Sequence, residues 1–141
     1  DGNGLTIYGL SKGGGSENVS ALKMLIPSAG REGVADFVAE TVKNAGDKGC
    51  PPYFLGVGVG GTFDTVAHLS KSALIEETMD DSLLKEMIES RCAKLDFGIA
   101  SFSGSNIVKS LFIKTDATHI ATLPVAVTLN CHSFRKGEIV F

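Results

Sequence analysis

The feature that most restricts how this chain can fold is a pair of cysteines 81 positions apart, Cys50 and Cys131. Cys50 stands in Gly46-Asp47-Lys48-Gly49-Cys50-Pro51-Pro52, just ahead of a glycine-rich apolar run, and Cys131 closes the apolar stretch that starts at Leu123. In those surroundings they read as metal ligands rather than as packing. One thiol lies before a strand and the other at the end of a strand, which is how a fold delivers distant thiolates to one point. No Cys-x-x-Cys pair occurs, so a local zinc knuckle is excluded. A fold that serves both must set the start of one strand beside the end of another.

Periodicity organises the rest. Val34, Phe37, Val38, Thr41 and Val42 fall at i, i+3, i+4, i+7 and i+8, and predict an amphipathic helix over 31–44 that Gly46 can end. Tyr53 to Val59 predicts a strand. Phe63, Val66, Ala67, Ala73 and Leu74 predict a helix over 62–75, starting directly after Gly60-Gly61, and Leu84, Met87, Ile88 and Leu95 another over 82–95. Leu5 to Tyr8 is a short strand candidate, followed by Gly13, Gly14 and Gly15, whose three consecutive glycines predict a turn without regular structure. Ile107 to Ile113 predicts a weaker strand. Leu123, Val125, Val127 and Leu129 alternate strictly and predict the last one, with Cys131 on their parity and so expected on the same buried side. Helices and strands in this order give an α/β (mixed α+β) fold class with helices packed on a mixed sheet. Residues 1–141 form a single domain without repeats.

Composition narrows the function classes. A hydrophobic fraction of 43% is enough for a real core, and a net charge of −3 gives no electrostatic reason to expect nucleic acid. No apolar run approaches the roughly 20 residues that cross a bilayer, so no membrane partner is expected. Three cysteines without a secretory signal argue against a disulfide framework and for a cytoplasmic location. The chain opens at Asp1 and stops within Gly137-Glu138-Ile139-Val140-Phe141, and reads as part of a longer polypeptide.

Other segments have a plain reading beside a functional one. Gly56, Gly58 and Gly61 satisfy the spacing of a dinucleotide-binding fingerprint, but the acidic residues downstream fall at a junction between two helices. Close backbone packing at a strand-to-helix turn is the better account. Lys12-Gly13-Gly14-Gly15-Ser16 offers N–H groups beside a lysine, suited to a carboxylate, with a mobile turn as the alternative. Cys92 sits on the apolar stripe of its helix and reads as core. His68 reads as solvated. His119 and His132 bracket the last strand and are the stronger histidine candidates.

Four motifs in order then carry a resemblance: Lys12 through Asn18, Ala45-Gly46 through Tyr53, Gly58 through Thr62, and Thr118-His119 through Cys131. Together they resemble the iron–sulfur-dependent class I fumarate hydratase and L-tartrate dehydratase family, in the C-terminal portion of its alpha-type catalytic part. The resemblance implies a 4Fe-4S cluster with Cys50 and Cys131 as its second and third ligands, and Cys92 as none. It implies that Gly14 gives its N–H to a substrate carboxylate, with Gly13 and Gly15 in the same turn. It implies that His119 hydrogen-bonds the bound dicarboxylate and is the one catalytic candidate on this stretch. Arg135 matches a frequent family arginine, with no role assigned. The remaining parts of the family's protein are an upstream region with the first cluster cysteine beside a glutamine and an aspartate, and a beta-type subunit or domain. Residues 98–110 depart from the family's usual glycine-rich loop.

The implied activity is reversible hydration of fumarate to L-malate, with L-tartrate dehydration as the alternative. Expulsion of hydroxide beside a carboxylate needs a Lewis acid, which an iron without a protein ligand supplies. The implied partners are a small dicarboxylate, the beta-type part and a homo- or hetero-oligomeric assembly. A non-catalytic homologue is the competing reading from the 98–110 departure, and a nucleotide-binding module the one from the glycine pattern.

Overall fold

The structure, a computed structural model, describes residues 4–95 and 107–141. Strand β1 (Thr6–Ser11) leads into a one-turn helix α1 (Gly14–Asn18), then β2 (Ala21–Leu25), a 3-10 turn at Pro27–Ala29 and the long helix α2 (Gly30–Ala45). Then come β3 (Tyr53–Val59), α3 (Thr65–Glu76), α4 (Ser82–Cys92), β4 (Val108–Thr115), β5 (Leu123–Asn130) and β6 (Arg135–Val140). Four strands form a mixed sheet in the order β2-β5-β3-β4, with β3 parallel to β4 and the other neighbours antiparallel. Among the described residues β1 and β6 pair only with each other. The expected α/β class with helices on a mixed sheet is what the chain forms.

The two faces of the sheet are covered by different chemistry. Tyr53, Leu55 and Val57 of β3, Leu111 and Ile113 of β4, and Val125, Val127 and Leu129 of β5 point to one side. There they pack with Val34, Phe37, Val38 and Val42 of α2 and Leu84, Ile88 and Cys92 of α4. Each such buried aliphatic side chain contributes roughly 1.5–3 kcal/mol relative to exposure. Arg91 of α4 ties the two helices together, bonding Asp36 at 2.6 Å and also reaching Glu32. The other face is built for close approach. A Cβ on Gly56 would lie 2.1 Å from the Ser70 carbonyl oxygen, and one on Gly58 would lie 2.6 Å from that of Val66. Helix α3 therefore lies almost directly on the β3 backbone, and the Ser70 hydroxyl meets that of Thr128 at 2.7 Å. Gly60 (φ 96°) and Gly61 (φ 70°) make the turn that feeds α3. Close packing is thus what the glycine pattern serves.

Several expectations need correction. Gly14 and Gly15 open a helical turn: Gly13 is an extended N-cap, Glu17 N–H donates to its carbonyl at 3.0 Å and the Ser16 hydroxyl to the same oxygen at 2.9 Å. Glycine raises the entropic cost of a helix without forbidding one. The third helix starts at Thr65 rather than 62, because Thr62 N–H first bonds the Thr65 hydroxyl at 2.8 Å and closes a turn. The fourth ends at Cys92, and Leu95 still packs on the core from the turn beyond. β2 and β6 lie outside the strands expected, and β6 follows the one expected to be last. Cys131 does not continue the pleat of β5, since the strand stops at Asn130. Most of the 98–110 loop lies outside the described residues.

Candidate functional site

The sheet brings the two cysteines together at one end. β3 starts where antiparallel β5 finishes, with Phe54 opposite Asn130, so the segment before β3 meets the segment after β5. His132 N–H donates to the Cys50 carbonyl at 3.1 Å, and His132 Nδ1 lies 3.3 Å from the same oxygen, a contact that requires a proton on Nδ1. Beyond them Phe134 stacks on Phe54 with centroids 4.5 Å apart. Cys50 is exposed and Cys131 half-buried, with both thiols free.

The Cys50 loop is held by a buried phenol. Gly46 ends α2 at φ 52° with its N–H on the Val42 carbonyl at 3.1 Å. The Tyr53 hydroxyl donates to the Gly46 carbonyl at 2.9 Å and accepts from Gly49 N–H at 2.9 Å. A Cβ on Gly49 would lie 2.9 Å from the Tyr53 ring, so only glycine fits beside it. Burial pushes the Tyr53 hydroxyl above its ordinary pKa, which keeps it protonated as a donor. Cys50 itself sits at φ 59°, a left-handed conformation uncommon for a residue with a side chain.

Cys131 is held by a group that the sequence reading passed over. Asn130 is fully buried; its Oδ1 accepts from Cys131 N–H at 2.9 Å and its Nδ2 donates to the Ser11 carbonyl at 3.0 Å. This one amide joins the end of β5 to the end of β1, and so to the Gly13 turn. The Ser133 hydroxyl lies 2.9 Å from the Cys131 sulfur. That bond, opposed by partial burial and aided by backbone N–H groups and the Lys12 charge, holds the Cys131 thiol below its ordinary pKa. Lys12 is itself pulled down by burial despite its ion pair with Glu17 at 2.6 Å, and Lys71 holds the same carboxylate at 2.8 Å.

The Gly13–Gly15 segment belongs to this end of the fold. A Cβ on Gly15 would lie 3.4 Å from the Lys48 carbonyl oxygen, which sets α1 against the Cys50 loop. Ser20 reinforces it, donating to the Ser16 carbonyl at 3.1 Å and accepting from Leu129 N–H at 3.2 Å. Gly14 differs from its neighbours, for a Cβ there would meet nothing within 4 Å, and its φ is not positive. Cys92 is buried in the core, its thiol pushed up to about 11 by desolvation, and is far less acidic than Cys131. His68 is exposed on α3, where its Nε2 lies 3.4 Å from the Ser72 hydroxyl. Arg135 lies exposed on β6, opposite Ser11.

His119 is the predicted site residue that the fold does not bring here. It precedes β5, whereas Cys131 follows it, and the seven steps from Leu123 to Asn130 span about 23 Å at roughly 3.3 Å per residue. At that far end His119 Nδ1 accepts from Ala121 N–H at 3.1 Å, on the rim of a pocket of about 350 Å³ that also holds Arg31, Asp81, Thr115 and Thr118.

Among the described residues no helix is long and apolar enough to cross a membrane. The model of the fumarate hydratase (Fumerase) family matches residues 1–140. The putative L(+)-tartrate dehydratase subunit alpha of Methanocaldococcus jannaschii is 40% identical over 140 residues, covering 94% of this chain and 49% of the relative. The L(+)-tartrate dehydratase subunit alpha of Escherichia coli O157:H7 is 30% identical over 146 residues, with 99% and 48% covered. That of Escherichia coli K12 is 31% identical over 134 residues, with 91% and 44% covered. The chain thus spans about half the length of the curated relatives it matches. With the Gly13, Cys50 and Cys131 segments meeting at one sheet end and the match running over nearly every residue, this chain belongs to the fumarate hydratase (Fumerase) family.

Proposed function

We propose that this chain is the C-terminal portion of the alpha-type part of an iron–sulfur hydro-lyase acting on a four-carbon dicarboxylate, first the fumarate and L-malate pair. The observation that carries the reading is the meeting of the Cys50 and Cys131 segments through the His132 N–H bond to the Cys50 carbonyl. The donor chemistry fits two cluster ligands: a Cys131 thiol biased toward thiolate beside an exposed Cys50. The family resemblance assigns the third thiolate to the upstream region of the alpha-type part. When bound, a 4Fe-4S cluster supplies a Lewis acid for the leaving hydroxide.

This chain's own residues hold and orient. Cys50 and Cys131 fix the cluster's position, and the N–H groups of Gly13, Gly14 and Gly15 face a substrate carboxylate where no side chain obstructs Gly14. His119 lies too far along β5 to reach the same substrate within one chain, and we assign it to the site of another copy in an oligomer. The beta-type part completes the clamp, as the alpha-subunit names of the relatives suggest. An oxidant-sensitive centre of this kind belongs in the reducing cytoplasm. The names of the relatives favour L-tartrate as the second substrate to test.

The test is substitution in the complete protein, purified without oxygen. Cys50→Ser and Cys131→Ser each abolish the brown cluster absorbance and turnover of fumarate, malate and L-tartrate, while Cys92→Ala keeps both. A cluster that needs Cys92 and tolerates loss of Cys131 overturns the ligand assignment.

A further inference from the structure

The β1–β6 ribbon leaves both faces largely exposed, unlike every strand of the four-stranded sheet. Its register sets Ile7 opposite Ile139 and Gly9 opposite Gly137, and paired backbone bonds of 3.2 and 2.8 Å set Leu5 opposite Phe141. Directly opposed residues share a side and the pleat repeats every two residues, so Leu5, Ile7, Ile139 and Phe141 form one stripe. They are 58%, 48%, 58% and 71% exposed. The stripe runs on to the Gly9–Gly137 pair, where an added Cβ would meet nothing within 4 Å. The ribbon thus ends in a step free of side chains that another backbone can approach closely.

Such a face needs a cover. A two-stranded ribbon alone is marginal in water, and a contiguous apolar stripe marks a contact surface. Its size selects the occupant. Four side chains offer on the order of a few hundred Å², short of the roughly 800 Å² per partner that separate molecules bury in a stable complex. A segment tethered to the ribbon escapes that requirement, because its effective concentration reaches about the millimolar range without new contacts. The curated relatives are about twice as long as this chain, which leaves a comparable length of polypeptide to supply it.

We propose that Leu5, Ile7, Ile139 and Phe141 seat the apolar face of an element from the remaining half of the same alpha-type polypeptide, which passes close over Gly9 and Gly137. The inference rests on the reading of the chain as part of an alpha-type subunit, for the existence of that remaining half only.

The experiment places the photoreactive residue benzoylphenylalanine at Ile7, at Ile139 and, on the opposite face as a control, at Thr6 in the complete alpha-type subunit assembled with its beta-type part. Irradiation is followed by peptide mapping. Positions 7 and 139 are expected to cross-link within one polypeptide to a common segment outside these 141 residues, and position 6 to miss that segment. Cross-links from 7 and 139 to a second copy or to the beta-type part, or none at all, overturn the proposal. The readout needs no turnover: a complete protein, beta-type part included, that cross-links as expected yet lacks hydro-lyase activity sinks the function alone, and an active one without these cross-links sinks the docking alone.

Discussion

His132 and Cys50 are joined through the backbone, amide to carbonyl at 3.1 Å, across 82 positions of sequence. The bond involves neither thiol, so the two cysteine segments are held together by the chain itself. Side chains around them then set their reactivity and exact placement, and four predictions follow from those groups.

In metal-free protein, Cys131 is expected to alkylate faster than Cys92 at neutral pH. Ser133 and its neighbours lower the Cys131 pKa, so thiolate persists as pH falls below the ordinary value, whereas Cys92 stays protonated until pH approaches about 11. Ser133→Ala moves the midpoint of the Cys131 rate–pH profile upward. Iodoacetamide kinetics followed by peptide mass spectrometry measure it, and an unmoved midpoint removes Ser133 from the account.

Asn130→Ala should cost about 1–3 kcal/mol in urea unfolding, since it removes two part-buried hydrogen bonds, from Cys131 N–H and to the Ser11 carbonyl, each contributing about 0.5–1.5 kcal/mol. The same variant of the complete protein should hold less iron, because the end of β1 and the Cys131 segment lose their shared bridge. Unchanged stability and iron content together would show that neither bond matters.

Gly14 and Gly56 should part ways. Gly56→Ala forces a Cβ to within 2.1 Å of a helix carbonyl and should lower stability by about 1–3 kcal/mol or more, read as a fall in Tm. Gly14→Ala meets open space and should leave Tm within a few degrees, yet Gly14→Val in the complete enzyme should reduce kcat/KM about ten- to a thousandfold by crowding the carboxylate. Normal kinetics for Gly14→Val would place the carboxylate elsewhere.

His119 is tested by complementation. His119→Asn and Cys131→Ser are each expected to lose activity alone, His119→Asn with iron content intact. Co-expressed with separate tags and purified as mixed oligomers, they should regain part of the wild-type rate, because one copy supplies the histidine and the other the thiolate. Mixed oligomers as inactive as the Cys131→Ser parent would refute a contribution from another copy.

Much of this was legible before any coordinates. The 3.6-residue period of Val34 to Val42 marked α2, and the run from Tyr53 to Val59 marked β3 to the residue. β2 escaped because Ala-Leu-Lys-Met-Leu shows no alternation, and β6 because Arg-Lys-Gly-Glu-Ile-Val has no buried face to impose one. Asn130 was hidden by its neighbours: β5 is covered on both sides, so its even positions are buried too and a polar residue among them carries no period. His119 has a position that the residue count alone does not convey. Twelve residues that include a whole strand put their ends on opposite edges of the domain rather than in one pocket.

The Tyr53 hydroxyl grips the Gly46 carbonyl and the Gly49 amide at the same moment. One ring rooted in the central strand thereby acts as a ruler for the stretch between the end of α2 and Cys50. A residue added to or taken from that stretch would pull the loop off the phenol and shift the thiol by about the 3.8 Å between successive Cα atoms, so the length of this loop is as constrained as the identity of the cysteine it carries.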